Sequence, residues 1–352
     1  EAAERSGDLS AKAEALQSLA VTEVRLRLSG ALEHAEAAIL IFEQLDRQMD
    51  VVKCLLSTQS VYRDRHDIAA ARRTLDLIAR KAARAGNVDL TRIALERQAH
   101  LEFDTGRVDK ALSLVTEAFQ ATEHLGDRGE PFRLQAFLAD VLIDCGRSTE
   151  AEAMLRSLLS QDSSFVESDV WAMTRVTLAQ AAMDGDGSDP VEIKSLLETA
   201  LTAVRARGMT KPLLTALSWE AERRSTEGCP DPVDPAWEEF ERVAQTAEIE
   251  PPPDAQARAL LAHASSLLSR GRIDDAKSRA ASAVEIAAKA DLPSWAARAE
   301  AVRARILRRE GRSEEADRAM ARARELLHEA ASRIQDPAIR KDFLARRVFR
   351  EI

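Results

Sequence analysis

Aromatic residues are scarce in this 352-residue chain: one tyrosine, four tryptophans and nine phenylalanines, 4% in all. That weighs against the ring-faced sugar platforms of all-helical glycosidases. Cysteine is scarcer still. Cys54, Cys145 and Cys229 are odd in number and far apart, so neither a disulfide framework nor a paired-thiolate metal site is expected, in keeping with a cytoplasmic location. No apolar run reaches the roughly 18 residues of a membrane span, and none is expected. Nor is there an alternating Val/Ile/Thr run bounded by hairpin turns, which argues against strands. Basic charge is not in excess: 50 Lys and Arg stand against 59 Asp and Glu, for a net charge of −9. Bulk nucleic-acid binding needs a basic surface, so no nucleic-acid partner is expected.

The chemistry of known active sites is missing too. The chain has no Gly-x-x-x-x-Gly-Lys-Ser/Thr phosphate loop and no Gly-x-Ser-x-Gly elbow. His34, His66, His100, His124, His263 and His328 fall in six different helices or turns. His328-Glu329 begins like a zinc-protease helix, but Ser332 stands where the second histidine belongs. The acidic run from Asp184 begins like a calcium loop, yet its sixth position is Asp189 instead of glycine and its twelfth is Ser195 instead of glutamate. We therefore expect no catalytic residue, no metal and no cofactor.

What the chain does have is a period. Gly106-Arg107 and Gly146-Arg147 are 40 residues apart, as are Gly271-Arg272 and Gly311-Arg312, and alanine follows each glycine at Ala111, Ala151, Ala276 and Ala316. A fixed period with fixed internal chemistry marks a repeat array whose units bury their apolar faces only by stacking. Gly187 and Gly228 divide the gap between the two pairs, and His66 and Gly30 extend the series backwards. Turns are thus expected near 30, 66, 106, 146, 187, 228, 271 and 311, giving eight units.

Each unit reads as two helices. Pro131, Pro212, Pro253 and Pro293 mark first-helix starts, where a missing N–H costs nothing. Glycine then ends that helix, and Asp109, Ser148, Asp274, Ser313 and Glu314 suit the free N–H groups opening the second. The alanines, with Ala99, Ala139, Ala221, Ala264 and Ala304 seven positions before the turns, let the two helices approach closely. Between them run apolar stripes such as Leu134, Leu138, Val141 and Leu142, or Ile39, Phe42 and Leu45. The expected fold is all-α: a right-handed α-solenoid of about eight antiparallel helix pairs over residues 1–335, with a C-terminal capping helix and tail over 336–352.

The Gly-Arg-x-x-x-Ala pattern, with small residues seven before the glycine and seven after the alanine (Ala118, Ala283, Ala323), resembles the tetratricopeptide repeat. The period is longer than that family's usual one, as in its bacterial regulatory branch. Leu95 and Leu260 stand where tryptophan is usual. The resemblance implies protein or peptide recognition in a concave groove lined by first helices, at positions six, three and two before each turn. Carried over, these are Ser60, Arg63, His100, Phe103, Asp104, Asp140, Ile143, Asp144, Arg305, Arg308 and Arg309. Such a groove is acidic in the middle and basic at its C-terminal end, suited to a segment of two-signed charge.

The arginine-rich stretch from Arg298 to Arg350 reads either as a solvated face paired with nearby glutamates or as a docking patch. Asp336-Pro337 signals a last helix, whose Ile339, Phe343 and Leu344 are expected to cover the apolar face of the last repeat. This tail is similar to those closing repeat regions of large bacterial signalling proteins, which implies an ATPase, kinase or protease module upstream. The expected role is the sensor or partner-binding arm of such a signalling or defence protein. A stand-alone adaptor bridging two proteins, or the inhibitory arm of an enzyme domain, are the alternatives.

Overall fold

The computed structural model of the chain describes residues 8–26, 28, 30–65, 67–122, 129–160, 168–185, 189–226, 234–247 and 250–352. Among the described residues there are seventeen α-helices and no strand. In chain order they are α1 (Leu9–Leu26), α2 (Ala31–Gln44), α3 (Gln48–Asp64), α4 (Ile68–Arg84), α5 (Val88–Asp104), α6 (Val108–Gln120), α7 (Gly129–Asp144), α8 (Ser148–Ser160) and α9 (Ser168–Asp184). There follow α10 (Pro190–Ala206), α11 (Thr210–Thr226), α12 (Asp234–Thr246), α13 (Pro253–Ser269), α14 (Ile273–Lys289), α15 (Pro293–Arg309), α16 (Ser313–Ser332) and α17 (Pro337–Leu344). The fold is an α-solenoid of helix pairs, α1/α2 through α15/α16, with α17 added at the end.

The hairpin turns at Gly146, Gly271 and Gly311 have one chemistry. At Gly271 (φ 77°) the chain enters the left-handed region. The Gly271 N–H donates to the Leu268 carbonyl, and the Arg272 N–H donates to that of Leu267. This pair of bonds satisfies the last carbonyls of α13 and stops it. Glycine bears the positive φ without a Cβ penalty. Asp46 and Asp291 hold the same conformation, each with φ 54°, at turns that lead into first helices. Gly30 differs from the other turn glycines: it sits at the start of α2 with φ −75°. His66, Gly187 and Gly228 lie outside the described residues.

The small residues are where close helix packing needs them. Ala111, Ala151, Ala276 and Ala316 are wholly buried, and so are Ala99, Ala139, Ala221, Ala264 and Ala304. Ala304, Ala316 and Ala323 share one apolar cluster, so the alanines before and after a turn face each other across the pair. Leu134, Leu138, Val141 and Leu142 are buried as a stripe, and Phe42 is buried, but Leu45 is exposed at the turn.

The chain divides into two compact units, Glu1–Asp104 with Ser113–Leu125, and Thr105–Leu112 with Gly126–Ile352. The core of the first is built from residues such as Phe42, Val51, Leu75, Ile78 and Leu101. That of the second centres on Leu197, Leu214, Leu217, Trp237, Phe240 and Leu267. In the second unit, first helices of successive pairs pack on one another: α7 on α9, α9 on α11, α11 on α13 and α13 on α15. Among the described residues, second helices make no comparable contacts with one another, so first helices line the inner face of this unit.

The tail does more than cover the last pair. Ile352 packs against the apolar cluster of α15 and α16. The segment before it runs back to much earlier turns of the same unit. Asp109 Oδ2 accepts the N–H groups of Gln335 and Asp336 at 2.7 and 3.0 Å. Arg347 donates to the carbonyls of Met183 and Gly185.

Candidate functional site

The inner face of the second unit carries a charged and aromatic seam. Its centre is Arg258 on α13, which is 5% exposed. The Arg258 guanidinium lies over the Trp219 ring of α11 at 3.8 Å and near the Trp295 ring of α15 at 4.9 Å. Its Nη1 donates to Ser218 Oγ at 2.9 Å, and Glu222 and Asp254 lie 3.5 and 3.4 Å from its other nitrogens. Arg298 of α15 stacks on Trp295 at 4.3 Å and reaches Glu222 at 2.5 Å, bridging two pairs. Burial pulls the Arg258 guanidinium below its ordinary range, while Asp254 and Glu222 hold the charge in place.

Helical register explains the convergence. Arg258 and Arg298, each six residues before the small residue of its helix (Ala264, Ala304), hold the same inward place on α13 and α15, while Ser218, three before Ala221, lies one turn further along α11. Arginine suits that place because its flat, delocalised group stacks on indoles while its fork of N–H donors meets carboxylates.

At the other end of the seam, Thr177 Oγ1 of α9 donates to Asp140 Oδ1 of α7 at 2.8 Å. Burial pushes the Asp140 carboxyl up to about 7, with Asp144 and Asp254 pressing the same way; the Thr177 hydrogen bond and Arg258 pull against them. Asp140, Asp144, Asp254 and Arg258 are therefore within electrostatic reach, although α7 and α13 are three pairs apart. Asp144 also meets the tail: Arg346 Nη1 lies 2.8 Å from it, and Arg346 Nε lies 3.1 Å from Asp184.

The residues expected to line a groove fare unevenly. In the first unit, Ser60 donates its hydroxyl to the Leu56 carbonyl, and Arg63 is partly buried. His100 is partly buried with Nε2 3.8 Å from Glu96, Phe103 is partly buried and Asp104 is exposed. In the second unit Asp140 and Asp144 share the inner face of α7. Ile143 does not join them. It is wholly buried, because a position one residue from the inward register of α7 turns into the core. Arg305 reaches Ser265 and Glu351 at 3.3 Å each, Arg308 lies 3.5 Å from Asp317 on its own pair's second helix, and Arg309 is exposed.

The arginines from 298 onward are largely paired within the chain. Arg303 meets Glu300, Arg312 meets Glu310 and Glu315, Arg322 meets Glu325 and Arg333 meets Asp291. The solvated-face reading therefore accounts for much of this stretch. The Trp219, Arg258, Trp295 and Arg298 seam was missed from sequence because it lies one to three helical turns before the positions carried over from the family. The 40-residue recurrence of Arg258 and Arg298 was the available signal.

No protein-family model matches this chain, and no curated protein matches it in sequence. Solved structures do match. The Rap protein complexed with competence and sporulation factor is 13% identical, with 96% of this chain and 95% of that chain covered and a TM-score of 0.61. The apo form of the quorum sensor NprR from B. thuringiensis is 12% identical, covering 90% of this chain and 87% of that one, with a TM-score of 0.65. A signal-transduction ATPase with numerous domains and a tetratricopeptide-repeat sensor, from Pyrococcus horikoshii, is 14% identical with a TM-score of 0.50. There 90% of this chain is covered but only 49% of the other, so the present chain spans about half of that protein. At such identities the likeness concerns the fold, which is that of the tetratricopeptide repeats. No helix among the described residues is long and apolar enough to cross a membrane.

Proposed function

We propose that this chain is a non-catalytic recognition scaffold whose inner face takes an extended or helical protein segment of two-signed charge. The observation that carries the reading is the seam itself. Two indoles and two guanidiniums from three successive first helices line one end, with Asp254 beside Arg258, and Asp140 and Asp144 lie toward the other. Tryptophan and arginine give large contact area at modest entropic cost, and opposed charges fix the direction in which a segment lies.

The structural neighbours support the same reading. One is a quorum sensor, one was solved with competence and sporulation factor, and one carries its repeats as the sensor of an ATPase. By that likeness the chain is the sensor or partner-binding arm of a larger bacterial signalling or defence protein. An upstream domain then reads the occupancy of the seam.

The test is selection from a random-peptide display library on the full chain, followed by titration of synthetic hits. Enriched peptides should carry both charge signs. Asp254→Asn and Asp140→Asn should weaken binding by at least about tenfold, roughly 1.4 kcal/mol, with unchanged circular dichroism. Hits that bind both variants as tightly as the wild type would remove the inner face as the recognition surface.

A further inference from the structure

The C-terminal segment sits on a built surface that the recognition reading does not use. Along one edge of the second unit, the turns after α5, α7 and α9 present Asp109, Asp144 and Asp184. Each carboxylate is engaged by the chain's own end. Asp109 caps the backbone of Gln335 and Asp336, and Asp144 and Asp184 grip Arg346 from two sides. Arg346 is almost buried there. Although burial works against its charge, the two carboxylates hold the guanidinium firmly protonated.

An aromatic pair accompanies the charge: Phe343 and Phe349 pack with ring centroids 5.1 Å apart, and the Arg346 guanidinium lies over Phe349 at 5.6 Å. The turn glycine Gly146 leaves space for the α17 backbone to lie directly against it.

We propose that this acidic edge is a docking surface for an arginine-bearing helical segment, with residues 334–352 as its resident, releasable occupant. Three features favour release over permanent attachment. The helix is eight residues long, too short to hold itself once detached. Its grip is ionic in part, through Arg346 on Asp144 and Asp184 beside the buried Ile334, Phe343 and Phe349, and salt or a competing cation weakens that part. One of its three carboxylate partners, Asp144, also faces the inner seam and influences both Asp140 and Arg258. Release thus returns a free carboxylate to the face on which the proposed ligand lies, which makes the strap a device that tunes that site.

The strap can be tested with no ligand for the seam, so its failure is distinguishable from failure of the recognition reading. Native-state hydrogen exchange on the full chain should show amides of 337–349 opening well below the global free energy, and faster at high salt. In Arg346→Ala that exchange should rise by about a hundredfold while α13 and α14 keep their protection. A labelled synthetic peptide of residues 333–352 should bind the Arg346→Ala chain, and its own Arg346→Ala version should not. Ser148 Oγ also donates to Asp184 at 3.0 Å, a bond an asparagine oxygen can accept, so Asp184→Asn serves as a second variant and should loosen the strap in the same direction. Exchange of 337–349 at the same rate as α13 and α14, in wild type and in both variants, would overturn the proposal.

Discussion

The backbone carbonyl of Asp342 lies where a β-carbon on Gly146 would stand. Its distance from that ideal position is shorter than side-chain carbons tolerate, and the obstacle is backbone, which cannot swing aside. Gly146 also carries φ 80°. The same glycine is thus required twice, by its turn and by a strap that arrives from the far end of the chain.

Gly271 offers the control. Its φ of 77° is nearly the same, but nothing lies within 4 Å of its β-carbon position. Gly271→Ala should cost only the left-handed backbone penalty, about 1–2 kcal/mol. Gly146→Ala should cost that and the strap contact together. The check is the difference in thermal midpoint between the two variants, with limited proteolysis of residues 334–352. Equal midpoints and equal cleavage would mean that α17 does not lie against this turn.

Asp140 predicts a pH dependence. Its folded carboxyl is raised from 3.8 to about 7 by burial and by Asp144 and Asp254. Between those values the folded chain binds the proton more tightly than the unfolded chain does. Stability therefore falls as pH rises from about 4 to about 7, and stays lowered above that. An asparagine side chain would accept the Thr177 hydrogen bond without a charge, so Asp140→Asn should flatten this part of the curve. It should also raise stability at pH 8 by on the order of 1–3 kcal/mol. Denaturant midpoints of both chains from pH 4 to 8 give the comparison; parallel curves would show that Asp140 titrates normally.

Why the array was legible and the site only partly so comes down to range. Turn glycines and alanines act within one pair, so their chemistry repeats every 40 residues, and Ala276 and Ala316 are buried as that repetition implies. Contacts between pairs leave fainter traces. Arg258 and Arg298 do repeat, but Trp219 and Trp295, which both meet Arg258, are 76 residues apart. The strap has no period at all. Nothing local to Arg346 points to Asp144 or Asp184, and nothing local to Gly146 announces Asp342. Ile143 shows the limit of transferring positions from a family: three residues before the turn faces the core here, while six before, at Asp140, faces inward.

The buried alanines predict intolerance of bulk. Ala276 is wholly buried in a cluster with Ala264, Leu267 and Ala280. Ala276→Leu adds three carbons where the helices of the pair lie together, and should cost about 1–3 kcal/mol through overpacking. Ala276→Gly instead should cost about 1 kcal/mol through helix propensity. A leucine variant as stable as the wild type by chemical denaturation would mean that α13 and α14 can separate freely.

Arg258 gives the sharpest stability prediction of the seam. Its guanidinium lies over one indole, approaches another, donates to Ser218 and lies between Glu222 and Asp254, all while 5% exposed. Lysine keeps the charge but has neither the flat face nor the fork, and its compact ammonium is more strongly hydrated. Arg258→Lys should therefore lose the stacking and loosen the tie to Glu222, at a cost of about 1–3 kcal/mol. The tryptophan emission should shift as well, since Trp219 and Trp295 both lose a cation from their faces. Arg298→Lys, on a residue with more exposure, should move both readouts less. If Arg258→Lys leaves midpoint and emission unchanged, charge alone holds the seam and the stacked geometry contributes nothing.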